Sequence, residues 1–327
     1  WQGAGFRGRP VPQALPAQRP RRHRPDAAGR RCDPCLRGRL PPAAALAVPL
    51  SATRVPLPGA SWVGCARFFS RSRFMSDHDD VVQRQFGAQA SAYLSSAVHA
   101  QGEEFALLRD ALAGRPEARV LDLGCGAGHV SFQVAALAGE VVAYDLSAEM
   151  LAVVAQSAAE RGMANIRTEQ GKAESLPFAD GEFDFVFSRY STHHWRDVGL
   201  ALREVRRVLK PGGVAIFVDV AAPGQALPDT FLQTVELLRD TSHVRNYSPA
   251  EWARLSGEAG LLVTGSRRQR LRLEFQSWVE RMRTPEVFRQ AIRSLQLAVG
   301  EEVREYFEIA DDGSFSTDVL VLWLRRE

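Results

Sequence analysis

The stretch Val120-Leu121-Asp122-Leu123-Gly124-Cys125-Gly126-Ala127-Gly128 decides how the rest of the chain is read. Its first half continues an apolar run from Ala118, the signature of a buried strand. Its second half alternates glycine with small residues, and a helical pattern over 128–138 follows. Glycines at a strand-to-helix turn let the backbone bend tightly and let a ligand approach with no Cβ in the way. The helix beyond opens with unpaired N–H groups. Seventeen residues after Gly128, Asp145 closes the next strand, 140–145. A carboxylate there can accept two hydrogen bonds from a ribose diol.

Outward from this turn the pattern repeats. Residues 148–161 read as a helix, 166–170 as a strand, and 183–188 as a strand of alternating Phe and Val. Val198, Ala201, Leu202, Val205, Val208 and Leu209 recur at helical spacing. Lys210-Pro211-Gly212-Gly213 ends that helix, and 214–220 is another buried strand. Strands alternating with helices imply βαβ units and a mostly parallel sheet. Upstream, 81–93 and 103–112 read as helices flanking Gly102. Downstream the alternation loosens. Residues 228–240 look helical, and Ser248-Pro249-Ala250-Glu251 starts a helix with an N-cap, a proline at the first position and a capping-box Glu. The segments 261–264 and 271–275 read as two strands, 285–299 as an amphipathic helix and 317–324 as a closing strand.

The 327 residues are 45% hydrophobic and 24% charged, enough for one large domain or two small ones. No run approaches the roughly 18 apolar residues of a membrane span. The net charge of +3 averages two unlike segments. Residues 1–74 hold 14 Arg, no Lys and two acids, a balance of +12, which leaves −9 for 75–327. Eleven of the 18 prolines also lie in 1–74, so that segment reads as disordered. Three readings of it stand side by side: leader or fusion sequence upstream of a start at Met75, an Arg-rich mitochondrial presequence, or a nucleic-acid-binding arm. The first is preferred. It makes 75–327 the working domain and the cytoplasm its compartment, with the mitochondrial matrix as the alternative. Cys32 and Cys35 have CxxC spacing without further ligands at zinc-site distances, and Cys65 and Cys125 are isolated. No metal site and no disulfide framework is expected.

Two cofactor classes use a glycine turn followed by a strand-end acid. The dinucleotide fingerprint GxGxxG requires glycine where this chain has His129 or Ser131. The loop is instead Asp-x-Gly-x-Gly-x-Gly, and it resembles the first motif of the class I S-adenosylmethionine-dependent methyltransferases. The resemblance continues through Tyr144-Asp145-Leu146-Ser147, Ala173-Glu174-Ser175-Leu176-Pro177-Phe178, Phe183-Asp184-Phe185-Val186-Phe187-Ser188 and Leu209-Lys210-Pro211-Gly212-Gly213. Together these resemble the UbiE-like group, which contains the ubiquinone/menaquinone-biosynthesis C-methyltransferases. The likeness covers about 85–220 and reaches the tail only loosely.

That resemblance implies a Rossmann-like α/β fold: seven mostly parallel strands, helices on both faces, and 317–324 as an antiparallel edge strand. It implies S-adenosylmethionine as cofactor and a small-molecule methyl acceptor, with a quinone precursor or similar aromatic as the family default. By position, Asp122, Gly124, Gly126 and Gly128 would surround the methionine part of the cofactor. Asp145 with Leu146 would hold the ribose, Ala173 and Glu174 would lie near the adenine, and Ser188 near the sulfonium. Gln85-Phe86-Gly87-x-x-Ala90-x-x-Tyr93 resembles the family's N-terminal lid, so Tyr93 would cover the site. Lys172 stands where the family often has an Asp that pairs with the adenine amino group, and an ammonium cannot accept that bond.

Methyl transfer from a sulfonium is an in-line displacement that needs alignment and exclusion of water. The acceptor should lie beyond the carboxyl ends of the strands. This selects Arg189, Tyr190, His193, His194, Trp195 and Asp219. His193 or His194 can serve as a general base near neutral pH or simply pack in a loop. Arg189 meets an acidic substrate group or forms a salt bridge. The polar stretch 240–247 is a substrate-facing lid, with His243 or Arg245 on an anionic acceptor, or a solvated loop. Ser188-Arg189-Tyr190-Ser191 lacks the Asn/Asp-Pro-Pro-aromatic motif of DNA amino-methyltransferases, and the acidic 75–327 segment also disfavours a nucleic-acid partner. The rival readings are a non-catalytic S-adenosylmethionine-binding protein and a nicotinamide-dependent oxidoreductase. Oligomeric state has no signature in the sequence.

Overall fold

The structure, a computed structural model, describes residues 77–87 and 102–327. The basic segment 1–74 and Tyr93 lie outside the described residues.

β1 (Arg119–Leu123) carries Val120, Leu121 and Leu123, all fully buried, so the strand is apolar on both faces. A parallel strand covered by helices on each side requires that pattern. It lies between β2 (Glu140–Asp145) and β4 (Phe183–Arg189), parallel to both. β3 (Ile166–Gln170) extends the sheet beyond β2, and β5 (Leu209–Ala221) beyond β4, again in parallel. β7 (Phe315–Arg326) then runs antiparallel to β5, and β6 (Leu261–Leu273) lies outermost, giving the order β3-β2-β1-β4-β5-β7-β6. The order reverses between β1 and β4, and the carboxyl ends of strands at such a switch point frame a crevice.

The helices are α1 (His78–Gly87), α2 (Glu104–Ala111), α3 (His129–Val134), α4 (Ala148–Glu160), α5 (Val198–Val208), α6 (Ala226–Arg239), α7 (Pro249–Glu258), α8 (Phe275–Arg281), α9 (Glu286–Ala298) and α10 (Glu301–Tyr306). Phe105 and Leu108 of α2 and Val130 and Val134 of α3 pack on one face of the sheet. Val198, Leu202 and Val205 of α5 and Trp252 of α7 pack on the other. A third apolar cluster joins α6, α8, α9 and α10 to the start of β7 through Phe231, Trp278, Ile292, Phe307 and Phe315. No helix among the described residues is long and apolar enough to cross a membrane.

The expected seven-stranded, mostly parallel sheet is present, with four differences of detail. β5 begins at Leu209, so Leu209 and Lys210-Pro211-Gly212-Gly213 belong to the strand and α5 ends at Val208. The antiparallel strand β7 sits one place in from the edge, and β6 closes the sheet as its partner. The two strands expected over 261–264 and 271–275 are one strand, bent by a bulge between Val263 and Gly265. Leu261 and Leu273 are its buried ends and the arginine-rich middle is largely solvated, so the period-2 signal is missing there. The helix expected over 128–138 ends at Val134 and continues as a 3₁₀ turn, Ala135–Leu137. The capping box is formed as read: Ser248 Oγ accepts from Glu251 N–H, and the Glu251 carboxylate accepts from Ser248 N–H.

Candidate active site

The three glycines after β1 have positive φ, 71° at Gly124, 50° at Gly126 and 84° at Gly128, but a Cβ at each would meet different things. At Gly124 it would collide with the Ser191 hydroxyl. At Gly128 it would lie 2.9 Å from Val154 on α4 and 3.1 Å from the Phe132 ring. At Gly126 it would meet nothing within 4 Å, because this residue faces a cavity. Gly128 is therefore a packing and helix-capping glycine, and it does not line that cavity.

Asp145, at the end of β2, is fixed by two backbone donors. Gly126 N–H donates to Oδ2 at 2.8 Å, and Ser147 N–H to Oδ1 at 2.9 Å. Burial raises its pKa in spite of them. Asp122 accepts from Ser131 N–H at 2.9 Å and Ser131 Oγ–H at 2.6 Å, tying the end of β1 to α3. Its burial is nearly complete and pushes its pKa up to about 7. Both carboxylates line the cavity, as do Gly124, Gly126, Leu146, Ala173 and Glu174. The cavity is open to solvent, and its empty space, counted out through the mouth, is about 1100 Å³.

α1 lies across this cavity and contributes Val82 and Phe86 to its wall. Asp79 pairs with Lys172 and with Arg196, Asp77 pairs with Arg196, and Gln85 Nε2–H donates to Met282 O at 3.0 Å. Lys172 thus anchors α1, and its hydrogen bond to Asp79 raises its pKa. Ser188 is buried outside the cavity lining, and its hydroxyl has no hydrogen-bond partner among the described residues.

A second cavity, of about 660 Å³, adjoins the first. Phe86, Tyr190 and His194 line both. Tyr190 follows directly on β4 with φ 50°, a left-handed conformation that costs a side-chain-bearing residue roughly 1–3 kcal/mol and that surrounding structure must enforce. Its N–H donates to Val218 O at 2.8 Å, and the chain then turns into the 3₁₀ segment Thr192–His194.

That turn sets His193 against Asp219 of β5, with His193 Nδ1 2.6 Å from Asp219 Oδ1. Asp219 is buried and accepts further hydrogen bonds from Thr192 N–H, the Thr192 hydroxyl and Val220 N–H. Desolvation opposes ionisation of Asp219, yet His193 and these donors outweigh it and its pKa is lowered. Burial likewise opposes charge on His193, but the Asp219 charge and hydrogen bond prevail and its pKa is raised above 6.5. His194 differs. Burial and the neighbouring His193 charge bring its pKa down to about 4, and its Nδ1–H donates to Ser242 O at 3.1 Å.

Three more residues singled out from the sequence are held by protein partners. Arg189 lines the first cavity, but its guanidinium is 2.7 Å from Glu104, with both side chains 5% exposed, and it stacks on Phe105 and Tyr190. His243 Nε2–H donates to Gln233 Oε1 at 3.0 Å, and burial drives its pKa far down. Arg245 pairs with Asp229 and Glu251. Neither His243 nor Arg245 lines either cavity. The second cavity also takes Val220, Leu271, Leu273, Trp278, Met282 and Asn246, which sequence reading missed. Most of these come from the last third of the chain, where motif spacing is silent; only the polarity of 240–247 pointed toward Asn246.

Residues 121–217 match a family model described as Methyltransferase domain. The chain is 56% identical over 199 residues to the uncharacterized protein YafE of Escherichia coli, spanning 61% of this chain and 96% of YafE. It is 38% identical over 223 residues to the uncharacterized methyltransferase YcgJ of Bacillus subtilis, spanning 68% of this chain and 88% of YcgJ. The crystal structure of YcgJ matches this fold with a TM-score of 0.66 at 34% identity, over 68% of this chain and 97% of that one. A demethylmenaquinone methyltransferase of Chlorobaculum parvum is 35% identical over 116 residues, 35% of this chain and 46% of that enzyme.

Proposed function

This chain belongs to the class I S-adenosylmethionine-dependent methyltransferase family, and on that premise we propose that it methylates a small molecule held in the second cavity, with S-adenosylmethionine in the first. The observation that carries this reading is the wall the cavities share, formed by Phe86, Tyr190 and His194 at the carboxyl ends of the strands.

The residues of the first cavity fit the cofactor. Gly126 leaves open the volume a Cβ would fill. The Asp145 carboxylate is held by backbone donors and keeps lone pairs for a ribose diol. Asp122 and Gly124 suit the methionine end, and Leu146, Ala173 and Glu174 the nucleoside end. Lys172 serves the lid, so the adenine amino group takes its acceptor from another group. When bound, S-adenosylmethionine supplies an electrophilic methyl carbon and leaves as a neutral thioether.

The chain must align the acceptor, exclude water and take a proton if the nucleophile carries one. α1 covers the mouth, and Phe86 gives the junction an apolar surface. His193 is the base of choice. Its Nδ1–H is committed to Asp219, which leaves Nε2 to accept the proton from the acceptor's O–H, N–H or C–H. The resulting imidazolium is stabilised by the Asp219 carboxylate and returns its proton to solvent. Asp219 positions the ring without touching substrate. His194, with its depressed pKa, is neutral at physiological pH and forms wall. Leu271, Leu273, Trp278 and Met282 favour an apolar, ring-bearing acceptor, and the likeness to a demethylmenaquinone methyltransferase points the same way.

The test is incubation of the full chain with methyl-labelled S-adenosylmethionine and a metabolite extract. The expected result is label in an apolar organic product, with His193→Gln sharply reducing it while cofactor binding persists. Cofactor binding without any labelled product would favour a non-catalytic binding protein. NADH binding without S-adenosylmethionine binding would overturn the reading.

A further inference from the structure

We propose that Asn246 is a specificity-determining residue that reads a second oxygen on the acceptor, distinct from the atom that His193 deprotonates; this rests on the second cavity being the acceptor site. Asn246 lines that cavity and is 2% exposed, yet its Nδ2 has no hydrogen-bond partner among the described residues. A buried amide donor left unpaired is costly, and at the wall of a cavity an acceptor oxygen of the bound molecule would complete it.

The residue is also braced for such a role. Gln233 of α6 clamps its backbone from both sides: Asn246 N–H donates to Gln233 Oε1 at 3.0 Å, and Gln233 Nε2–H donates to Asn246 O at 2.8 Å. The same segment docks on the turn that carries the base, since Val244 N–H and Arg245 N–H both donate to His193 O. Asn246 and His193 are therefore held in one framework, a hydrogen-bond donor and a proton acceptor on the wall of one cavity. Glu236 and Arg239, which also line it, neutralise one another at 3.3 Å, and the Asp240 carboxylate accepts from the Ser242 N–H and hydroxyl. Arg281 lines the cavity as well, so this chemistry selects a ring that carries an ionisable hydroxyl or carbon acid together with a carbonyl, ether or hydroxyl oxygen.

Paired probes isolate the effect. 2- and 4-methoxy-1-naphthol are compared with 2- and 4-ethyl-1-naphthol, which have nearly the same shape but lack the second acceptor. Binding is measured by calorimetry on the full chain saturated with S-adenosylhomocysteine. At least one methoxy probe is expected to bind about 3- to 10-fold tighter than its ethyl partner, the worth of one hydrogen bond. Asn246→Leu should erase that ratio, and Asn246→Asp, which replaces the donor by an acceptor, should invert it while preserving size. A ratio that survives both substitutions, the absence of any methoxy preference, or failure of every naphthol to bind would each overturn the proposal. If Asn246→Leu does not fold, the Asn246→Asp comparison decides alone. Failure of S-adenosylhomocysteine to bind the wild-type chain would instead strike the methyltransferase reading of the first cavity, and that titration is read separately.

Discussion

Alanine at Gly126 and at Gly128 is the same chemical change two residues apart, and the structure gives the two substitutions opposite signatures. Both residues have positive φ, where a Cβ costs roughly 1–2 kcal/mol. At Gly128 the added methyl would also press on Val154, fully buried, at 2.9 Å and on the Phe132 ring at 3.1 Å. Overpacking of that kind adds about 1–3 kcal/mol. Gly128→Ala should therefore lose roughly 2–5 kcal/mol of stability, and Gly126→Ala only the backbone share. At about 2–4 °C per kcal/mol for a domain of this size, the first should lower Tm by roughly 5–15 °C and the second by a few degrees. Cofactor affinity should order the other way. The Gly126 methyl points into open cavity, so S-adenosylhomocysteine should bind at least about tenfold more weakly to Gly126→Ala, equivalent to about 1.4 kcal/mol. Gly128→Ala, assayed below its Tm, should bind nearly as well as wild type. Thermal scanning and calorimetric titration on the same samples provide both axes. Full affinity in Gly126→Ala would refute the claim that this loop makes the close approach to the ligand, and a Gly128→Ala variant that binds poorly while melting normally would refute its assignment to packing.

Three further outcomes follow from the site. His193→Gln should lower kcat by about 10²–10⁴, the usual share of a general base, with S-adenosylhomocysteine affinity unchanged in titration; an unaltered kcat would remove His193 from the mechanism. Because His193 must be neutral to accept a proton and its pKa is raised above 6.5, kcat/KM should climb with pH through a midpoint above 6.5, and Asp219→Asn should move that midpoint downward, since burial is then opposed only by the lesser pull of Glu236 and Asp240; a pH profile indifferent to Asp219→Asn would contradict the pairing. Asp145→Ala should weaken S-adenosylhomocysteine binding about 10- to 100-fold, the range for hydrogen bonds to a charged group, and unchanged affinity in the same titration would refute the ribose assignment.

β1, β2, β4 and β5 were legible because buried faces write apolar runs and glycine or proline punctuates many of the turns, whereas β3, Ile-Arg-Thr-Glu-Gln and partly exposed along its length, was marked mainly by its place in the alternation. The cofactor side was legible for a related reason: Gly124, Gly126 and Asp145 are close in sequence and their chemistry leaves few alternatives. Spacing alone could not distinguish Gly126, which faces open cavity, from Gly128, which faces Val154. Nor could it separate His193 from its neighbour, since the difference lies in Asp219, 26 residues away on another strand. The acceptor cavity was the least legible part. Val220, Leu271, Trp278 and Met282 converge only through folding, and singly each looks like core, while Asn246 was one residue of a polar stretch that did not single it out. Arg189 and Arg245 carried the charge expected of substrate contacts, but the carboxylates that engage them, Glu104 in one case and Asp229 with Glu251 in the other, lie at separations no motif records.

The most direct test of the two-cavity account is a crystal structure of the full chain with S-adenosylhomocysteine bound. The ribose should lie on Asp145, and the sulfur should reach the wall formed by Phe86, Tyr190 and His194, aimed toward the cavity that holds His193 and Asn246. A ligand seated away from the Gly126 loop, or one whose sulfur points away from that wall, would contradict it.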